Sequence, residues 1–129
     1  IRLHPHQYVY FNFIFEKNAN RLFEIDYWGL SNKSALKNLL DENSEKNTIT
    51  VGVASFTNLY LSKKMLPLTY KNRLIITGQE FSKTDYIYNN NYFEINPNYN
   101  DKYLIPKNYT RHSVVKKGKI LINEFFAKK

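Results

Sequence analysis

The 129-residue sequence predicts one α/β domain: a small mixed sheet with a parallel centre, one or two packed helices and a C-terminal antiparallel hairpin. Residues 48–77 alternate between a β-branched segment, a short amphipathic segment and a second β-branched segment, a pattern that favours a right-handed parallel crossover. Near the C-terminus, two further extended segments flank Lys117-Gly118, a hairpin signal because Gly can adopt positive φ. A chain of this length can bury one core.

The first predicted elements precede residue 45. From Tyr8 to Phe15 both faces of an alternating pattern are largely apolar, which indicates a buried strand or an aromatic segment at a membrane interface. Leu22 to Tyr27 forms a second apolar segment. Ser31 offers its hydroxyl to the first amides of a helix that runs to about Asn43. Four residues give this helix an apolar stripe: Ala35, Leu36, Leu39 and Leu40.

The parallel unit follows. Thr48 to Ala54 is predicted as a central strand because its residues are β-branched or small. Ser55 or Thr57 can cap a short helix that Pro67 ends. The residues predicted to face the sheet from this segment are Phe56, Leu59, Tyr60 and the stem of Lys63. Arg73 to Thr77 is predicted as the second strand of the unit.

The last elements are a strand, an irregular segment and the hairpin. Thr84 to Tyr88 is predicted as a third strand, whose direction stays open because the connection before it is shorter than a parallel crossover needs. Asn89 to Lys107 is rich in Asn and Tyr and is predicted as an irregular surface segment. Arg111 to Lys116 and Lys119 to Phe126 are predicted as the paired strands of the hairpin.

Charge is concentrated in the second part of the chain. Residues 1–50 carry six basic and six acidic side chains, whereas residues 51–129 carry thirteen against five. Within residues 102–129, eight basic side chains face a single acidic one, Glu124. A positive face of this kind attracts nucleic acid or an anionic lipid surface, with a strength that falls with salt. The alternative interpretation is a solvated surface that serves solubility alone.

The residue types that carry catalysis are sparse. The four glycines stand too far apart for a phosphate-binding loop, and the absence of cysteine excludes disulfides and thiolate metal sites. His4 and His6 project to one side of an extended segment, but two imidazoles without a third clear ligand are a weak metal signal. The candidate carboxylates are expected to be ordinary surface charges, since glycosidase pairs need a cleft: Asp41, Glu42, Glu80 and Asp85. The sequence predicts no catalytic residue, metal or cofactor.

Two aromatic motifs are the most distinctive features. The first is His4-Pro5-His6-Gln7-Tyr8-Val9-Tyr10-Phe11-Asn12, and the second is Asp26-Tyr27-Trp28-Gly29-Leu30-Ser31, just before the first helix. They resemble the start of the soluble C-terminal region of bacterial polytopic membrane glycosyltransferases, the family 39 or protein mannosyltransferase-like group, which use lipid-linked sugars. In that family the first motif leaves the last transmembrane helix, and the second opens the first helix of a small extracytoplasmic domain.

The resemblance implies that residues 1–129 are part of a longer membrane enzyme, on the periplasmic face of the bacterial inner membrane. The family's catalytic acidic residues lie in loops N-terminal to this region, so none is carried over and the isolated domain is expected to be inactive. The implied roles are acceptor recognition, lid formation over the donor, or assembly. The implied partners are the membrane-embedded portion of the same protein, an anionic membrane surface and a glycan acceptor.

The motifs supply the candidate binding or signature residues: Tyr8, Tyr10, Asn12, Asp26, Tyr27, Trp28 and Gly29. An Asp beside two aromatic rings could bind a sugar, but structural roles are favoured, with Trp28 as an apolar plug, Gly29 in a turn and Asp26 accepting from nearby amides. Two other functions stay open. One is a nucleic-acid-binding module that uses interleaved Tyr and Lys in residues 99–129, with nucleic acid the less favoured partner. The other is a freestanding carbohydrate-binding or scaffold domain.

Overall fold

The structure, a computed structural model, describes Asp26, residues 29–90 and residues 103–129. This part of the chain contains three α-helices: α1 (Asn32–Glu42), α2 (Leu59–Lys64) and α3 (Leu68–Arg73). It also contains five strands: β1 (Ile49–Val53), β2 (Leu74–Gly78), β3 (Tyr86–Asn89), β4 (Tyr109–Lys117) and β5 (Ile120–Lys128). The strand predicted at Tyr8 to Phe15 lies outside the described residues, as does the segment predicted from Leu22 to Tyr27, apart from Asp26.

The five strands form one mixed sheet in the order β2-β1-β3-β5-β4. β1 pairs in parallel with β2 on one side and with β3 on the other, whereas β5 pairs antiparallel with β3 and β4. Gly118 has a φ of 59° in the turn between β4 and β5, as the hairpin signal predicts. The predicted α/β class is therefore confirmed, together with its parallel centre and its C-terminal hairpin.

One face of α1 packs on the sheet. The four residues of its predicted apolar stripe are all buried: Ala35, Leu36, Leu39 and Leu40. They share a core with residues from several strands, among them Ile49, Leu74, Tyr88 and Phe125. The rings of Tyr88 and Phe125 meet edge to face with their centroids 5.4 Å apart, an arrangement that the ring quadrupoles favour. Burial of one Leu contributes roughly 1.5–3 kcal/mol, so packing is the main source of stability for α1.

The start of α1 differs from the prediction. Ser31 has helical backbone angles (φ −79°, ψ −18°) and makes no side-chain capping bond, so the prediction that Ser31 caps this helix is wrong. Asp26 supplies the acceptor, because its Oδ1 accepts the amide hydrogens of Leu30 at 2.8 Å and of Ser31 at 3.4 Å. A turn before the helix brings the carboxylate there, with positive φ at Asp26 (56°) and Gly29 (63°). Amides at a helix start have no partner within the helix, and Asp26 satisfies two of them.

The segment after β1 also differs from the prediction. Phe56 is 57% exposed and Tyr60 is 51% exposed, so neither ring is buried against the sheet. Leu59 and Ser62 are the buried residues of α2. The helix begins at Leu59, so Phe56 precedes its first turn, and Tyr60 lies about 100° around the helix from the inward-facing Leu59.

Asn58, rather than Ser55 or Thr57, caps α2. Its Oδ1 accepts the amide hydrogen of Tyr60 at 3.1 Å. Pro67 follows α2 and occupies the N-cap position of α3. This second short helix is not predicted from the sequence. Both helices have six residues, and among the described residues no helix is long and apolar enough to cross a bilayer.

β3 is parallel to β1, and this resolves the direction that the sequence leaves open. The connection from β2 to β3 is short because the end of β2 and the start of β3 lie beside neighbouring residues of β1. Gly78 at the end of β2 pairs with Gly52, and the amide of Asp85, just before β3, donates to the carbonyl of Thr50 at 3.1 Å. Gly52 also makes room for the connection, since a Cβ there would lie 2.7 Å from the ring of Phe81. The usual length of a parallel crossover is therefore not required.

The first two residues of the segment predicted as irregular, Asn89 to Lys107, differ from the prediction. Asn89 is the last residue of β3, and Asn90 is buried rather than on the surface. Residues 91–102 lie outside the described residues, and residues 103–108 contain no long helix or strand before β4. Burial of Asn90 places an amide side chain directly at the carboxyl end of a parallel strand.

Candidate functional site

An open pocket of about 310 Å³ lies at the carboxyl ends of β1 and β2. Val53 and Gly78, the last residues of these two strands, form part of its lining. The loop after β1, the first residues of α2 and Gln79 form the rest. In open α/β sheets ligands bind outside the carboxyl ends of the strands. The strand order reverses between β1 and β3, and the pocket lies beside that point, on the β2 side of β1.

The pocket is lined by aromatic and neutral polar side chains. Phe56 and Tyr60 each expose more than half of their surface. The polar side chains of the lining are hydroxyls and amides: Ser55, Thr57, Asn58 and Gln79. Among the described residues, no carboxylate, amine, guanidinium or imidazole lines this pocket. The pocket can therefore offer ring faces and hydrogen bonds to a ligand, but it lacks the carboxylate or imidazole pairs that general acid–base catalysis uses most often.

Two hydrogen bonds hold Tyr60 in place. Its phenolic hydroxyl donates to the backbone carbonyl of Ile76 in β2 at 3.0 Å. Its amide donates to the Asn58 side chain, which caps the same helix. Because the amide and the hydroxyl of Tyr60 are both hydrogen-bonded, the position of its ring is fixed. Little rotamer freedom is therefore lost when a ligand packs on the exposed side of the ring.

A buried amide, Asn90, connects the pocket loop to the end of β3. Its Nδ2 donates to Thr57 Oγ1 at 2.7 Å and to the carbonyl of Asp26 at 3.4 Å. Its Oδ1 accepts from the hydroxyl of Ser55. Ser55 Oγ in turn accepts the amide hydrogen of Thr57 at 3.1 Å, which closes a tight turn in the loop. The wall of the pocket is therefore organised before any ligand arrives.

Asp26 and Gly29, two residues of the second motif, lie behind this wall. Asp26 is buried, and its carbonyl accepts from Asn90 as well as from the amide of Gly29 at 2.8 Å. A Cβ at Gly29 would lie 2.6 Å from the methyl group of Thr57. Both residues support the pocket from outside its lining. The other sequence candidates, Tyr8, Tyr10, Asn12, Tyr27 and Trp28, lie outside the described residues.

Further buried polar groups hold the start of α1 next to this turn. Ser31 Oγ donates to the Asp26 carboxylate and accepts from Asn123 Nδ2 at 2.5 Å. Asn32 Oδ1 accepts from the hydroxyl of Tyr88, while Asn32 Nδ2 is buried without a hydrogen-bond partner among the described residues. The buried roles of Asn32, Asn90 and Asn123 are not predictable from the sequence, since Asn is common throughout the chain and no spacing separates a buried Asn from an exposed one.

The four candidate carboxylates and His112 lie outside the lining of the pocket, and in the described part of the chain all of them except Glu80 make local side-chain contacts. Asp41 accepts from Lys37 Nζ and from the Tyr70 hydroxyl, each at 2.6 Å, and these bonds hold the pKa of the Asp41 carboxyl below its usual value. His112 lies 3.5 Å from a Glu42 oxygen. Asp85 accepts the amide and hydroxyl hydrogens of Thr50 in β1. Within the described residues no three such groups converge in a way that could hold a metal ion.

Comparison of the chain with protein-family models, with curated proteins and with solved structures finds no match.

Proposed function

We propose that this chain is a non-catalytic domain of a membrane-bound glycosyltransferase that uses lipid-linked sugar, and that its pocket recognises the saccharide acceptor. The observation that carries the proposal is the neutral pocket at the ends of β1 and β2, with two exposed aromatic rings among amide and hydroxyl groups. The two N-terminal motifs support the enzyme class by resemblance. In this proposal the domain lies on the periplasmic side, beside the membrane-embedded portion of the same protein.

The lining matches the chemistry of a sugar. A pyranose ring has apolar C–H faces that pack on Phe56 or Tyr60, and hydroxyls that pair with side chains such as Asn58 and Gln79. The volume of about 310 Å³ is at the lower end of the range for small-molecule sites, which suits the end of a short saccharide. The open mouth allows the rest of a glycan to extend into solvent.

The lining also indicates an acceptor rather than the donor. A lipid-linked sugar carries phosphate, which proteins hold with Arg, Lys, helix N-termini of adequate length or metal ions. Among the residues that the structure describes, no basic side chain lines this pocket, and α2, which begins at its edge, has only six residues. A nucleic acid would meet the same lack of positive charge here, so the pocket favours a neutral ligand.

The proposal is tested by titrating the protein with neutral mono- and disaccharides while amide resonances are followed by NMR. We expect shifts in the loop after β1 and at Gln79. Phe56→Ala should weaken binding about tenfold, because roughly 1–2 kcal/mol of apolar contact is lost. Leu104→Ala is the matched control, since Leu104 is an exposed apolar residue outside the lining. Saccharide binding that Phe56→Ala leaves unchanged, or no binding by any member of the series, would contradict the proposal.

A further inference from the structure

A second surface of the molecule lies next to the pocket and differs from it in chemistry. Three aliphatic or thioether side chains of the α2–α3 segment are between 57% and 70% exposed: Leu61, Met65 and Leu68. Leu61 and Met65 are four residues apart, so they lie on the same side of α2 and its C-cap. Leu59 and Ser62 occupy the buried side. Leu61 and Met65 therefore face outward together. We call these two residues, with the exposed Leu68 that follows at the start of α3, the α2–α3 face.

Basic side chains accompany this face. Lys64 is three residues from Leu61 and so lies on the same side of α2. Lys63 is half-buried at the border of that side, and Lys71 lies in the last turn of α3. Residues 46–79 contain no Asp or Glu at all. Within the described residues none of the three lysines forms an ion pair with a carboxylate. Arg73 is different, because its guanidinium donates to the carbonyls of Leu40 and Asn43 and so is committed to the end of α1.

We propose that the α2–α3 face docks the domain on an anionic lipid surface, with Leu61, Met65 and Leu68 in the acyl boundary and the lysines among the headgroups. The combination is typical of interfacial helices, which place long apolar residues toward the lipid and Lys toward its phosphates. Aliphatic side chains offer no stacking surface to a nucleic-acid base, which binds aromatic or guanidinium planes. Charge complementarity together with the aliphatic surface therefore selects anionic lipid over single-stranded nucleic acid.

This surface is independent of the basic tail. Residues 102–129 hold more positive charge, but within their described part large exposed apolar side chains are scarce, with Leu104 the strongly exposed one. Insertion needs apolar groups, whereas charge alone gives only a salt-sensitive attraction that ends within a Debye length. The α2–α3 face combines both contributions. Each lysine near the surface contributes about fivefold to the binding constant.

The test measures co-sedimentation of the 129-residue chain with phosphatidylcholine vesicles, with and without phosphatidylglycerol. Three variants are compared. The first is a triple variant, Leu61→Ser, Met65→Ser and Leu68→Ser. The other two are double variants, one with Lys63→Gln and Lys64→Gln and one with Lys116→Gln and Lys129→Gln. The first two remove the apolar and the basic part of the α2–α3 face, and the third removes equal charge from the tail. Leu104→Ser controls for loss of an exposed apolar side chain elsewhere. All positions are exposed apart from Lys63, which is half-buried, and such surface substitutions change stability little.

We expect binding to the anionic vesicles alone, reduced at least about tenfold by each variant of the α2–α3 face. The tail variant and Leu104→Ser should bind within about threefold of the parent chain. Loss of binding in the tail variant but not in the other two would overturn the proposal. So would absence of vesicle binding at low salt, or self-association that the triple Ser variant abolishes. The vesicles carry no sugar, so a negative result here leaves saccharide recognition by the pocket unaffected.

Discussion

The side-chain amide of Asn90 donates to Thr57 Oγ1 at 2.7 Å, and this bond joins the end of β3 to the loop that forms one wall of the pocket. Asn90 is buried, so its loss leaves polar groups of the loop and of Asp26 without this donor in the interior. The bond makes the position of a pocket residue depend on a strand end that does not line the pocket.

Asn90→Ala should destabilise the fold by about 1–3 kcal/mol, the cost of leaving buried hydrogen-bonding groups unpaired. It should also weaken saccharide binding, because Ser55 and Thr57 lose the contact that fixes their loop. Urea unfolding measures the first effect and NMR titration the second. Asn47→Ala is the control, since Asn47 is exposed in the loop between α1 and β1. Equal urea midpoints for the two variants would show that the Asn90 contacts contribute nothing.

Gly29→Ala and Gly78→Ala separate backbone strain from steric overlap. Both glycines have nearly the same φ, 63° and 64°. A Cβ at Gly78 meets nothing within 4 Å, whereas one at Gly29 would overlap with Asn32 Nδ2 and would lie 2.6 Å from Thr57 Cγ2. We expect Gly78→Ala to cost about 1–2 kcal/mol from strain alone. Gly29→Ala should cost roughly 1–3 kcal/mol more, because the side chains of Asn32 and Thr57 must shift.

Denaturation of both variants with urea gives the two free energies directly. A difference near zero would contradict the expectation that Asn32 and Thr57 must move to admit a methyl group at Gly29. A further expectation concerns function: Gly29→Ala should alter saccharide affinity, since it displaces a lining residue. Gly78 itself lies at the pocket edge, so its substitution is compared by stability only.

The Lys37–Asp41–Tyr70 cluster should make stability depend on pH at both extremes. The pKa of Asp41 is lowered from its usual 3.8, first by the hydrogen bond from Lys37 and then by that from Tyr70. The stability that the charged Asp41 carboxylate adds to the fold is therefore present above pH 3.8. It is lost as the pH falls through the lower pKa of the folded state. The pKa of Lys37 is raised from 10.5, chiefly by the same bond to Asp41. Its stabilisation is present below pH 10.5 and is lost as the pH rises through the folded pKa.

Lys37→Gln should reduce the urea midpoint at neutral pH and flatten both limbs of the stability curve. The change is small because both groups are exposed, where ion pairs contribute little. Lys33→Gln, on an exposed position of the same helix, is the matched control. Identical pH profiles for the two variants would exclude a contribution from the cluster.

The isolated chain should show no sugar transfer, even when lipid-linked donor and an acceptor saccharide are supplied together. Within the described residues the pocket has no carboxylate or imidazole to act as general acid or base, and the carboxylates of Asp41 and Asp85 lie in separate local contacts. The measurement is release or transfer of labelled sugar by the purified protein. Turnover that a single carboxylate substitution abolishes would require a catalytic site in this chain and would contradict the prediction.

The sequence predicts the framework well because hydrophobic periodicity reports burial. The Ala35–Leu40 stripe, the β-branched strands and the Gly118 turn all follow from local patterns. Which residues of α2 face the sheet could not be predicted in this way, because this depends on the residue at which the helix begins. Ser55, Thr57 and Asn58 can all serve as N-caps, and each would start the helix at a different residue. The direction of β3 also depends on tertiary pairing with β1, which a local pattern does not contain.

The pocket could not be predicted from the sequence either, because it also depends on tertiary structure. Its lining comes from strand ends that are distant in sequence, and its aromatic residues look like core residues when only their spacing is considered. The exposure of Phe56 and Tyr60 depends on where α2 begins, and the role of Asn90 depends on the parallel pairing of β3. Each therefore follows from tertiary structure rather than from composition or periodicity.

The contact between Gly52 and Phe81 has a kinetic consequence. β2, β1 and β3 all come from the continuous stretch Ile49–Asn89, and the connection that carries Phe81 passes close to Gly52 as β3 pairs with β1. The parallel pairings of this unit join residues about 25 to 35 positions apart, whereas a two-residue turn joins β4 to β5. Short sequence separations lower the entropic barrier to pairing, so the β4–β5 hairpin should form early and the three-stranded unit should be completed later. We therefore expect low φ-values at Gly52 and Phe81, where substitutions should mainly accelerate unfolding, and higher φ-values in the β4–β5 turn.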